Sequence, residues 1–127
     1  MEFEDITNLL GLNFPYFELG SNQEFVIQIL GQPEGVFIQK KHNISIYKYA
    51  NVQLTFLNNL LIKYNFDVTL VTHPHLFKDI YNHISSIENI VKEDTLLHIK
   101  IILQNGFTFV FDKESGVLEN IFFASDK

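Results

Sequence analysis

Between Tyr47 and Asp67 the chain reads YKYANVQLTFLNNLLIKYNFD, and this stretch narrows the possible folds more than any other. Val52, Leu54 and Phe56 alternate with Asn51, Gln53 and Thr55, the period-two signal of a strand with one buried face. Asn58-Asn59 follows, and asparagine tolerates the positive φ that a two-residue hairpin turn requires. Leu60 to Phe66 is then the return strand. Two strands cannot cover their own apolar face, so further strands or a helix must do it.

The residues before the hairpin supply candidates. Ser21-Asn22-Gln23-Glu24 has the form of a capping box, with Ser21 meeting the Glu24 amide and the carboxylate reaching back. Phe25, Val26, Ile29 and Leu30 then share one helix face. Gly31 suits the left-handed position after the last turn, and Pro33 stops continuation. A shorter helix is expected over Ile6 to Leu10, capped by Asp5 and ended by Gly11. Leu12 to Gly20, interrupted by Pro15, reads as irregular. Gly35 to Gln39 and Ile44 to Tyr49 read as strands separated by a polar turn at Lys40 to Asn43.

The second half repeats this order. Thr72 or His73 caps a helix that accepts Pro74 in its first turn. Leu76, Phe77, Ile80, Tyr81 and Ile84 line one of its faces. Ile87 to Thr95 reads as a connection. Leu96 to Leu103 is a strand with Leu97, Ile99, Ile101 and Leu103 on one side. Asn105-Gly106 is a strong hairpin signal. Phe107, Phe109 and Phe111 alternate with Thr108 and Val110, Asp112 to Gly116 is a loop, and Val117 to Phe123 is the last strand. Asp67 to Thr72 leaves the sheet between the halves. Residues 21–67 and 72–123 therefore match at an offset of about 55 positions, a spacing of the kind that marks internal repeats. The expected fold is α+β: one mostly antiparallel sheet with two amphipathic helices on one face. It is built from two helix-plus-β-meander repeats in a single domain over residues 1–127.

Composition limits the function. The chain has 127 residues with 13 Phe and 5 Tyr, enough for one ring-rich core. No apolar run approaches the length of a membrane span. Met1 to Asp5 is acidic, the reverse of a signal peptide's basic start, so a cytoplasmic protein without a membrane partner is expected. There is no cysteine, hence no disulfide and no thiolate metal site. The net charge is −6 and all nine basic residues are lysine. Arginine is the usual tool for bidentate recognition of phosphate and guanine. Nucleic acid is therefore not an expected partner. The acidity suits a basic protein partner, and it also serves solubility alone.

Candidate chemistry is thin. His73-Pro74-His75 is an H-x-H, and His75, Asp79 and His83 follow at helical spacing. His75 and His83 would lie about 12 Å apart along a helix axis, too far to share an ion. His42 falls in a turn. No metal or cofactor is expected. Asp67, Asp112 and Glu119 sit near strand ends, where acids usually form solvated turns. There is no nucleophile elbow, no P-loop and no G-x-G-x-x-G, so no enzymatic activity is expected. The polar face of the sheet is the candidate binding surface, formed by Tyr47, Tyr49, Gln53, Thr55, His98, Lys100, Gln104 and Thr108. Tyr47 and Tyr49 are its anchors, since tyrosine is favoured at protein interfaces. The plainer reading packs both rings on neighbouring strands with their hydroxyls in water.

Ile29-Leu30-Gly31-Gln32-Pro33, followed by Y-K-Y-x-N-x-x-L-x-F, resembles small bacterial immunity proteins encoded beside polymorphic toxins. Tyr47, Tyr49, Leu54 and Phe56 fill the pattern, and Ala50 stands where glycine is common. The doubled layout is also similar to the tandem-repeat fold of β-lactamase inhibitor proteins. The resemblance implies a protein-binding inhibitor that neutralises a cognate, basic toxin by occluding its active site. The alternative is a small ligand-binding or structural domain that self-associates through sheet edges. Oligomeric state is left open.

Overall fold

Asn58 and Asn59 take φ of 52° and 68°, and the turn they make joins β3 (Val52–Leu57) to β4 (Leu60–Asp67). This hairpin belongs to a computed structural model that describes residues 2–10, 14–68, 75–104 and 106–124. The expected roles of Gly11 and Leu12, of residues 69–74 and of Asn105 lie outside the described residues. The fold is α+β, a mostly antiparallel sheet of eight strands with helices packed on one face. The chain forms two compact units, one built on Phe17–Phe66 and the other on Asp67–Phe122.

The first unit contains α2 (Gln23–Leu30), β1 (Gly35–Gln39), β2 (Ile44–Tyr49), β3 and β4, with the strands in that order. Directly paired residues share a face. Val36 pairs with Tyr47, Tyr47 with Leu54 and Leu54 with Tyr64 on the helix side. Phe37, Ile46, Thr55 and Lys63 form the corresponding row outside. Val26 of α2 is fully buried, as are Leu54, Phe56, Leu61, Tyr64 and Phe66.

The helix starts one residue later than its sequence suggests. Asn22, not Ser21, is the cap, and its Oδ1 accepts from the Phe25 amide at 2.8 Å. The reason lies in β4. Gly20 N donates to Leu61 O, Leu61 N to Ser21 O and Gln23 N to Asn59 O. Gly20 and Ser21 are thus held as strand-like backbone beside β4, and the chain is free to coil only from Asn22. The stop is as expected: Gly31 has φ 82° and its amide returns to Ile27 O at 2.7 Å.

The second unit contains α1 (Phe3–Leu10), α3 (Phe77–Ser85), β5 (Ile90–Asp94), β6 (His98–Leu103), β7 (Phe107–Asp112) and β8 (Leu118–Ala124) up to Phe122, the last two residues of β8 belonging to the first unit. Its strands lie in the order β8-β7-β6-β5. Ile99 pairs with Phe111 and Ile101 with Phe109 on the helix side. The Phe77 ring of α3 meets Phe111 edge-on at 5.3 Å, and Ile80 and Ile84 are buried beneath that helix. α1 begins earlier than expected. Asp5 accepts from the Glu2 amide at 2.8 Å, so it closes the first turn from inside the helix instead of preceding it. Phe3 of α1 lies 6.4 Å from Phe107.

Two expectations in this unit are corrected. The segment read as a connection contains β5. Its Lys92, Glu93 and Asp94 hide the strand pattern, and Lys92 turns to the helix side with its ammonium 5.4 Å from the Phe77 ring. Leu97 is not an inward residue. Thr95 and His98 close a tight turn, the Thr95 amide donating to His98 O at 2.9 Å. Leu96 and Leu97 are left at its tip, both exposed.

With β5 in place the halves correspond strand for strand. β1 and β5 begin at the offset already seen in the sequence, as do β3 and β7. The entry to each helix is pinned in the same way, by a bridge from Asn22 to Leu60 in one half and from Leu76 to Val117 in the other.

Candidate interaction surface

The expected binding residues divide. Gln53 and Thr55 lie on the outer face of the first unit, in line with Lys48 and Ile46. In the second unit His98, Lys100 and Thr108 lie outward, paired with Asp112, Val110 and Ile102. Gln104 sits in the turn after β6, exposed.

Tyr47 and Tyr49 are on the other side. Ala50 and Asn51 form a turn that pairs Tyr49 with Val52, so odd-numbered residues of β2 share a face with even-numbered residues of β3. Alternation within each strand is easily read, but this change of parity across the turn is not. The Tyr47 ring packs 5.0 Å from Phe56. The Tyr49 hydroxyl donates to Gly31 O at 2.9 Å, tying the end of α2 to the sheet. Burial, and to a lesser degree the neighbouring Tyr47, raises the Tyr49 phenol above its ordinary value. Both rings hold the helix side together, and the anchor placement is corrected.

The outer face of the second unit carries a polar corner. His98 Nε2 lies 3.1 Å from Glu119 Oε1, with both side chains about one-third exposed. Asp112 Oδ2 accepts from the Ser115 amide and from Ser115 Oγ, each at 2.8 Å. The amide bond first, then the hydroxyl, holds its carboxyl below the ordinary 3.8. A lowered carboxyl stabilises the fold above its unfolded pKa, and that contribution is lost as pH falls from 3.8 through the lower folded value. Asp112→Asn is therefore expected to flatten the acid limb of a stability–pH profile below pH 3.8, read as urea midpoints. An unchanged acid limb would mean that the loop closes without this carboxylate.

The remaining candidates do not converge. His75 precedes α3, so His75, Asp79 and His83 are not an array on one helix. Among the described residues no group of three His, Asp or Glu could hold a metal ion. Two shallow depressions, of about 140 Å³ beside Val91 and Ile102 and about 290 Å³ beside Asn22 and Asn59, fall below the ~300–1,000 Å³ usual for a small-molecule site.

The residues that stand out were not among the candidates. Val36, Phe37 and Ile38 are consecutive on β1 and are 52, 61 and 59% exposed. Val36 and Ile38 point to the helix side and Phe37 outward, so both faces are apolar. β1 is a terminal strand, and a terminal strand offers unpaired backbone groups. Folded proteins usually guard such an edge with charge or proline. β5, its counterpart and the other terminal strand, has Lys92, Glu93 and Asp94. β1 has no charge between Gly35 and Gln39. The V-F-I run was legible in the sequence, but its position at an edge was not.

No family model matches the chain, and no curated protein matches it. Solved structures are similar in fold. An extracellular protein containing an SCP domain from Bacillus anthracis aligns over 90% of this chain and 49% of its own, at 9% identity and a TM-score of 0.54. A cysteine-rich secretory protein from Staphylococcus aureus aligns over 85% of this chain and 44% of its own, at 10% identity and a TM-score of 0.48. The chain spans about half the length of the structures it matches.

The first likeness corrects the functional expectations. The cytoplasmic placement is withdrawn, because the fold occurs in a protein described as extracellular. The immunity-protein reading, with occlusion of a toxin's active site, is withdrawn with it. The resemblance to immunity proteins rests on a helix stop and a hairpin and that to β-lactamase inhibitor proteins on the doubled layout, and neither receives support from this likeness.

Proposed function

We propose that the chain is a non-catalytic association module of an extracellular protein, binding its partner by strand addition at β1. The observation that carries this reading is the unguarded apolar edge at Val36, Phe37 and Ile38. Strand addition draws affinity from main-chain hydrogen bonds and specificity from alternate side chains. Val36 and Ile38 would grip on one face and Phe37 on the other. No nucleophile, metal or cofactor enters the mechanism. The extracellular placement is supported by the likeness in fold to a protein described as extracellular.

The test uses a labelled peptide with the sequence Glu34 to Lys40, an extended strand that can pair with β1. Fluorescence anisotropy is expected to show saturable binding to the wild-type protein and its loss in Ile38→Lys. Failure of the wild type to bind, with β1 amides exchanging freely throughout, would sink the reading. Protease treatment of intact source cells tests the placement; a chain cleaved only after lysis would refute it.

A further inference from the structure

The edge that carries the association reading also has a definite complement, which is itself. We propose that β1 pairs antiparallel with β1 of a second copy, about a two-fold axis through Phe37. The proposal rests on the strand-addition reading and adds to it the identity and register of the partner.

Register is the first argument. An isologous contact must be self-complementary. With Phe37 at the centre, Phe37 meets Phe37, Val36 meets Ile38 and Gly35 meets Gln39. The flanking residues are then Glu34 and Lys40, so a carboxylate faces an ammonium at each end. Centring on Val36 would set Glu34 against Ile38. Centring on Ile38 would set Lys40 against Val36. Only the Phe37 centre joins apolar to apolar and opposite charge to opposite charge. It also keeps faces together, since Val36 and Ile38 lie on the helix side and Phe37 outside.

The ends of the strand fit this length. Glu34 Oε2 accepts from the Ala50 amide at 3.1 Å, which ties one carboxylate oxygen to the turn after β2 and fixes where the chain enters β1. At the other end Lys40–His42 forms a 3-10 turn, and Asn43 follows at φ 55°. The chain therefore leaves the edge at Lys40, and pairing stops there.

The contrast between the two terminal strands is the second argument. Two open edges would let copies add without limit, whereas one open and one guarded edge closes at two. β5 has a charged residue at Lys92, Glu93 and Asp94, and β1 has none. Two strands in equivalent positions of a doubled fold therefore differ in the property that decides assembly.

The chain has no cysteine, so a single introduced thiol reports only its own pairing. Sedimentation is expected to give a dimer for the wild type. Ile38→Lys weakens it about 30-fold or more, the size of an interface hot spot, while the far-ultraviolet circular dichroism spectrum stays that of the folded chain because Ile38 is 59% exposed. Val91→Lys on β5 leaves the mass unchanged. Under mild oxidation Phe37→Cys forms a covalent dimer, because the axis sets like residues opposite. Gln39→Cys does not, because its mate is Gly35 and its own copy lies beyond the ~7 Å Cα limit for a disulfide. A dimer that survives Ile38→Lys, or one that cross-links as readily through Gln39→Cys, overturns the inference. A monomer that still binds the Glu34–Lys40 peptide overturns self-pairing and leaves the association reading standing. A monomer that ignores the peptide removes both.

Discussion

Tyr64→Ala is expected to destabilise the protein by about 4 kcal/mol or more, measured by urea denaturation. Tyr64 is fully buried on β4. Its ring stacks on Phe66 at 6.0 Å and lies 5.8 Å from Phe123. Its hydroxyl both donates to Phe17 O and accepts from Phe17 N, the latter at 2.6 Å. One side chain thus fills the core and also fixes the backbone that leads into α2. Removing the ring opens a cavity, at about 3–5 kcal/mol for an aromatic. Losing the hydroxyl withdraws two buried bonds in addition. Tyr64→Phe separates the two contributions and is expected to cost about 2 kcal/mol. A loss below about 0.5 kcal/mol in Tyr64→Phe would show that the Phe17 backbone finds other partners at no cost, and the bridging role would be wrong.

The second large effect is a matched pair. Phe56 and Phe111 occupy the same position in β3 and β7, and both are fully buried. Phe56 packs on Tyr47, and Phe111 takes the edge of Phe77. Phe56→Ala and Phe111→Ala are each expected to cost about 3–5 kcal/mol, by the same loss of transfer energy and the same residual cavity. The prediction is about similarity as well as size. If one costs the full amount and the other under about 1 kcal/mol, the two positions do not perform equivalent packing. Two denaturation curves decide it, and a split transition in either variant would show the units unfolding separately.

Several elements could be read directly. Asn58-Asn59 marks its hairpin because the turn needs two positive φ angles, and few residues accept them. Gly31 with Pro33 stops α2 for equally local reasons. Phe107, Phe109 and Phe111 alternate because the helix-side face of β7 is wholly buried, whereas on the outer face only Val110 is. The α+β class followed from the order of these signals. The site was less legible. Alternation carried across the Ala50-Asn51 turn without its change of parity puts Tyr47 and Tyr49 outward, whereas the register puts them on the helix side.

What the sequence determined by itself was local: where strands alternate, where turns can form and where a helix must end. Each of these depends on steric and hydrogen-bonding preferences within a few residues. What only the tertiary structure decided was relational. Asn22 caps α2 because β4 holds Gly20 and Ser21. β5 is a strand because β6 pairs with it, despite a charged sequence that argues for a loop. Gly35 to Gln39 reads only as a strand until the strand order leaves β1 at an edge. A short apolar run has the same local energetics in the centre of a sheet and at its margin. Pairing with strands distant in sequence determines whether its backbone and side chains are satisfied or left open to a partner.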